Sequence, residues 1–122
     1  MNWKMFLDDI RHPKTDGWVL CRSFDDAVST IESYGCFPAY ISFDHDLGVA
    51  RRDGDTKSGY DFAKWLVEQE MNGKFLFPEG FAFNVHSANP VGKENIEKYL
   101  ESYFRFRGVK NDQRDNAHAG KS

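Results

Sequence analysis

Apolar residues along this chain come in short runs separated by segments of helical spacing. Residues 3–7 (WKMFL) form the first run, the length of a buried strand, which stops at Asp8-Asp9. The next, 18–22 (WVLCR), follows IRHPKTDG, a loop by its proline and glycine. Residues 40–43 (YISF) read as a third strand, ending at Asp44-His45-Asp46. Residues 81–85 read as a fourth, ending at His86-Ser87. FLF at 75–77 fits either a minor strand or a packed loop.

Three helices fill the intervals. Ser23 caps SFDDAVSTIESYG, with Asp26 at the capping-box position, Ala27, Val28 and Ile31 as the apolar stripe, and Gly35 as the stop. Ser58 caps SGYDFAKWLVEQEM, with Phe62, Leu66 and Trp65 turned inward. Asn89 caps a third helix with Pro90 in its first turn and a stripe of Ile96, Leu100, Tyr103 and Phe104. Strands alternating with helices predict an α/β fold, a parallel sheet covered by helices. In such sheets the functional crevice lies beyond the carboxyl ends of the strands. Residues some forty positions apart in sequence are therefore expected to meet there.

Composition narrows the class. The 122 residues suit one domain, read as 1–107, with the polar stretch 108–122 expected to be a disordered tail whose "GKS" is a chance match to a phosphate loop. Eleven Phe among 16% aromatics predict a ring-rich core. A net charge of −3 argues against general electrostatic binding of DNA or RNA, while leaving room for one nucleotide or one strand end. Cys21 and Cys36 fit neither a disulfide framework nor a metal spacing and read as thiols of a reducing cytoplasm. The first residues do not resemble a signal peptide, and no window approaches the about 18 apolar residues of a membrane span, so no membrane partner is expected.

The chemistry gathers at the strand ends: Asp8 and Asp9, then Asp44 and Asp46, then His86, Ser87 and Asn89. Each acidic pair by itself reads equally as a solvated loop. Converging carboxylates repel, and an oxygen-only set of this kind suits Mg²⁺ or Mn²⁺, with open positions for water and a phosphate. Alternation along an extended strand puts Asp44 and Asp46 on one face and turns His45 away as a supporting or substrate-binding group. His86 alone would be a strand-end histidine bonded to a carbonyl. Beside a metal–phosphate site it suits general acid or base work. Ser87 suits a hydrogen bond to phosphate, Arg11 a phosphoryl contact, and Asn89 a helix N-terminus facing an anion. Arg51 and Arg52 rank below Arg11, His12 has no spacing argument, and His118 lies in the tail. A Ser-His-Asp nucleophile is not expected, because no nucleophile elbow is present.

FLDDIRHP, FDHDLG, GYDFAKWL and VHSANPVGKENI together resemble the cyclic-phosphate processing receiver domain, a relative of the response-regulator receivers, over residues 3–104. The resemblance implies a receiver-like, flavodoxin-like three-layer fold: a mostly parallel four-stranded sheet, about three helices, and truncation at the C-terminal strand and helix. It implies that Asp8 and Asp9 match the family's acidic pair, Asp44 the phospho-accepting position and Ser87 the hydroxyl residue. Three departures from receivers are visible: only a loop fits between the first two strands, a long polar insertion follows Asp44, and no fifth strand carries a phosphate-binding lysine. The implied function is a Mg-dependent phosphoesterase, a hydrolase acting on a cyclic phosphate such as the 2′,3′-cyclic phosphate of RNA ends or nucleotides, in an RNA-repair setting. The alternative is a non-catalytic receiver-like module that binds Mg²⁺ and a phosphorylated ligand, or is phosphorylated on Asp44. A plain interaction domain, with the acids as solvated ends, is the third reading.

Overall fold

The computed structural model describes residues 2–47 and 57–119, residues 109–119 as backbone alone. Arg51, Arg52 and the side chain of His118 lie outside the described residues. Four strands, β1 (Lys4–Leu7), β2 (Trp18–Cys21), β3 (Tyr40–Phe43) and β4 (Ala82–Val85), form one sheet in the order β2-β1-β3-β4, with every pair parallel. The helices are α1 (Phe24–Tyr34), α2 (Gly59–Met71) and α3 (Pro90–Ala119). This is the expected α/β receiver-like arrangement. Residues 75–77 pack as a loop rather than a strand, with Phe77 4% exposed against Phe37, Phe81 and Phe104. Helical backbone continues to Ala119, through residues the sequence reading assigned to a polar tail. No described helix is long and apolar enough to cross a membrane.

The register levels the strand ends. Leu7 lies opposite both Cys21 and Phe43, and Phe43 opposite Val85. The ladder then extends one step: Asp8 N–H donates to the Cys21 carbonyl, Asp44 N–H to Leu7 and His86 N–H to Phe43, at 2.9–3.0 Å. Asp8, Asp44 and His86 are therefore the next residues of β1, β3 and β4, held in a row by backbone bonds.

The layering departs from the expected three layers. Met5, Leu7, Ile41, Phe43 and Val85 point to one face, where Ala27 and Ile31 of α1, Phe62 and Leu66 of α2, and Ile96 and Leu100 of α3 complete a single core. All three helices share that face. Handedness explains it: right-handed crossovers from β2 to β3 to β4 progress in one direction across the sheet and lie on one side. The step from β1 to β2 runs the other way, so its connection belongs to the opposite side, and residues 8–17 hold no helix. Among the described residues that side carries side chains alone. Phe6, Trp18 and Tyr40 meet edge to face there, Lys4 Nζ lies 4.4 Å from the Trp18 ring centre, and Leu20 and Asn84 are exposed.

Both capped helices start as the sequence suggests. Ser58 Oγ accepts from Asp61 N–H while Asp61 Oδ2 accepts from Ser58 N–H, a complete capping box. At α1 the serine half forms, but Asp26 Oδ2 accepts instead from Arg22 N–H at 2.8 Å. Gly35, at φ 79°, closes α1 in the left-handed region that favours glycine.

Candidate functional site

The strand ends open into a cleft of about 360 Å³ lined by Asp8, Asp9, Ile10, Arg11, Asp44, Asp46 and Ala88. One carboxylate oxygen from each of Asp8, Asp9 and Asp44 lies within 4.8 Å of the other two. Asp8 is 1% exposed and Asp44 8%, so two of the three acids are nearly buried.

Their environments differ. Burial pushes the Asp8 carboxyl up, but backbone N–H groups of Arg11 and Ile10, both 2.8 Å from Oδ1, and His86 at Oδ2 more than offset it. The net result is a lowered pKa and an ionised Asp8. Asp44 is raised, first by burial and then by the charge of Asp8, against hydrogen bonding from Ser87 and the influence of His86. The pocket thus holds more negative charge than its fixed donors neutralise. All-oxygen donors, close together and partly desolvated, fit a hard divalent cation of the Mg²⁺ or Mn²⁺ type.

His86 stands at the wall of this cluster. Its Nε2 is 2.8 Å from Asp8 Oδ2 and its Nδ1 is 2.7 Å from Ser42 Oγ. Phe6 stacks on the ring at 4.6 Å with an interplanar angle of 7°. An ionised carboxylate can only accept, so the hydrogen of the Asp8 bond belongs to Nε2.

The other expected residues take distinct positions. Arg11 lines the cleft and donates from Nη1 to the His86 carbonyl at 2.9 Å. Ser87 bonds Asp44, and its Oγ accepts from Asn89 N–H at 3.1 Å. Asn89 is a helix cap, its Oδ1 accepting from Gly92 N–H at 3.0 Å. Asp46 lines the cleft but stands outside the three-carboxylate group, tied to His45 Nδ1 at 2.8 Å and more distantly to Asn89. His45 lies against Gly92, where an added Cβ would come within 2.3 Å of its ring. His12 Nε2 meets Arg22 at 3.0 Å.

Three residues of this framework were not singled out by sequence. Arg22, the residue after β2, donates from Nη1 to the carbonyls of Asp8 and Arg11 at 3.0 and 2.7 Å and so braces the acidic loop. The strand-end rule applied to WVLCR would have found it. Ser42 is a polar residue inside an apolar strand, a signal visible in YISF. Gly59 has a tighter requirement: its N–H donates to the His45 carbonyl at 2.7 Å, and a Cβ there would sit 2.0 Å from the Asp44 carbonyl oxygen. The glycines of GYDF and NPVG therefore let α2 and α3 approach the Asp44–His45 segment.

No solved structure matches the chain. A protein of Coccidioides immitis (strain RS) named leucine aminopeptidase 2 is 34% identical over 86 residues, which are 63% of this chain and 13% of that protein. The chain therefore spans only a small part of that relative. Leveled strand ends carrying an acidic pair, an aspartate and a His-Ser step all fall within residues 3–102, which match the family described as the cyclic-phosphate processing receiver domain. The chain belongs to that family.

Proposed function

We propose that this domain is a phosphoesterase that opens a cyclic phosphate, with Mg²⁺ or Mn²⁺ held by Asp8, Asp9 and Asp44. The observation carrying the reading is the convergence of three carboxylates within 4.8 Å of one another, two of them nearly buried, with the charge of Asp44 disfavoured by burial and then by Asp8. A bound cation would polarise a phosphoryl oxygen and offset the charge that grows on it. Membership of a cyclic-phosphate processing family supports a phosphorylated substrate. The acidic balance of the chain favours a nucleotide or an RNA terminus over a long strand.

In the reaction, water adds to phosphorus, one ring P–O bond breaks, and the departing oxygen takes a proton to become a free hydroxyl beside a phosphomonoester. His86, beside the cleft through its bond to Asp8, would be the donor for that step in its imidazolium form. Arg11 lines the cleft with one N–H committed to the His86 carbonyl, and its remaining donors suit a phosphoryl oxygen. Ser87, already bonded to Asp44, suits another.

The test is incubation of the protein with 2′,3′-cyclic nucleotides and cyclic-phosphate RNA ends, with Mg²⁺, Mn²⁺ or EDTA. The expected result is metal-dependent release of a phosphomonoester, abolished by EDTA and lowered about 10²-fold or more in His86→Ala. Absence of turnover with every metal and substrate would remove the enzyme reading. The Ser87–Asp44 bond favours one second reading, phosphorylation of Asp44 within a signalling module. Stable labelling of Asp44 by acetyl phosphate, without turnover of cyclic substrates, would select it.

A further inference from the structure

We infer that Ser42 is a positioning residue that fixes the ring of His86 and through it orients Asp8 toward the cation. The inference deepens the proposed function and rests on its cation site. It starts from the uncovered face of the sheet. Ser42 and Phe6 lie on that face, where none of the described helices packs, yet Ser42 is 5% exposed and Phe6 9%. The imidazole of His86 covers them, stacked on Phe6 at 4.6 Å. With no helix to hold it, the ring is fixed by β1 and β3 themselves: Phe6 on its plane, Ser42 at Nδ1 and Asp8 at Nε2.

The chain of bonds has one consistent direction. The Asp8 carboxylate, held at Oδ1 by two backbone N–H groups, accepts at Oδ2, so His86 Nε2 carries the hydrogen. In the neutral ring Nδ1 then bears the lone pair, and the Ser42 hydroxyl must donate to it. Without that hydroxyl, Nδ1 loses its donor and the ring is free to turn on the Phe6 face, so its Nε2–H no longer holds Asp8 Oδ2 in place. Asp8 Oδ1 is already held by two backbone N–H groups, so Oδ2 is the oxygen whose orientation His86 decides. Hydrogen-bond partners of metal-ligating groups typically govern about 10- to 100-fold in metal affinity.

Two measurements test this in the 122-residue chain. The first reads tautomers by long-range ¹H–¹⁵N correlation at about pH 8.5, where an unperturbed imidazole is neutral. His86 in the wild type should be the Nε2–H form with Nδ1 hydrogen bonded, Ser42→Ala should shift the Nδ1 resonance toward that of an unbonded ring nitrogen, and Ser42→Thr should restore it. An Nδ1–H tautomer in the wild type, or unchanged His86 nitrogens in Ser42→Ala, overturns the inference. The second is Mn²⁺ affinity by titration. Ser42→Ala should weaken binding about 10-fold, and His86→Ala should do the same. Because Ser42 acts through His86, adding Ser42→Ala to His86→Ala should cause no further loss; an equal loss on that background overturns the role. Failure of the wild type to bind Mn²⁺ at all would sink the cation reading of the proposed function and, with it, the step from His86 to Asp8. The tautomer measurement would still decide the lock on His86.

Discussion

Asp44 is where stability and the proposed activity pull apart. Its carboxyl is nearly buried and lies beside an ionised Asp8, and both effects disfavour its charge. Replacing it with asparagine removes a like-charge repulsion at nearly constant shape. Asp44→Asn should therefore raise the stability of the metal-free protein by about 1 kcal/mol, read by thermal unfolding in EDTA. The same variant should lose the additional stabilisation that Mn²⁺ gives the wild type. A variant less stable than wild type in EDTA would contradict the charge argument.

Cys21 gives a residue-scale prediction in pH. Burial pushes its thiol up to about 11 from 9.0, with Thr30 hydrogen bonding opposing and Asp26 adding to the rise. The raised value in the folded state means that the fold favours the neutral thiol. That contribution is whole below pH 9.0 and drains as pH rises toward about 11. At pH 8 Cys21 should react with a maleimide only as fast as the protein opens, well behind half-buried Cys36, a difference mass spectrometry would resolve. Equal labelling rates would contradict the assigned burial.

At the scale of elements, α2 sets the geometry of the site through its first turn. Ser58 and Asp61 cap it, and Gly59 packs under the Asp44–His45 backbone. Ser58→Ala should cost about 1 kcal/mol, the usual worth of a lost cap, and leave Mn²⁺ affinity near that of wild type. Gly59→Ala is a different kind of change. Its Cβ would meet a backbone oxygen at 2.0 Å, so either α2 or the end of β3 must move. Destabilisation of about 3 kcal/mol, at the upper end of ordinary overpacking, is expected together with weakened Mn²⁺ binding. Gly92→Ala should be milder, because its Cβ meets the His45 side chain, which can turn aside. The ranking Gly59→Ala above Gly92→Ala in both stability and metal affinity is measurable by chemical unfolding and metal titration. The reverse order would show that the helix approach does not position Asp44.

For the whole molecule, the last described side chains of α3 packed on the core are Tyr103 and Phe104, against Phe77 and Phe81. Arg107 adds an ion pair with Glu70 at 3.6 Å, beside the Tyr103 hydroxyl bonded to the same carboxylate. A chain ended after Arg107 should keep its fold, with a Tm change under about 4 °C, the shift expected from less than 1 kcal/mol in a domain of this size. A larger drop would mean that the helical backbone beyond Gly108 contributes packing of its own.

Much of this molecule is readable from local signals. The runs ending at Asp8, Asp44 and His86 are strands because their apolar stretches are short and stop at charge. Ser23, Ser58 and Asn89 start helices because their side-chain oxygens accept from the exposed N–H groups of the first turn. Parallel strands joined by helices then bring their carboxyl ends together, so the acidic cluster and His86 follow from order along the chain. Asp46 escapes this logic: alternation assumes an extended chain, whereas the chain bends at His45 and turns to Gly59, and Asp46 lines the cleft outside the carboxylate group.

What tertiary structure alone decided lies in contacts between distant segments. The layering was one such choice: a pattern of strands and helices does not state which face each helix covers, and the handed crossovers put all three on one. That left Phe6 and Ser42 to hold His86 across the bare face, an interaction between residues 44 positions apart that no local pattern encodes. The identity of the reactive residues was a matter of sequence. Their ionisation, their tautomer and the separation of Asp46 from Asp44 were set by burial and by partners that only the folded chain supplies.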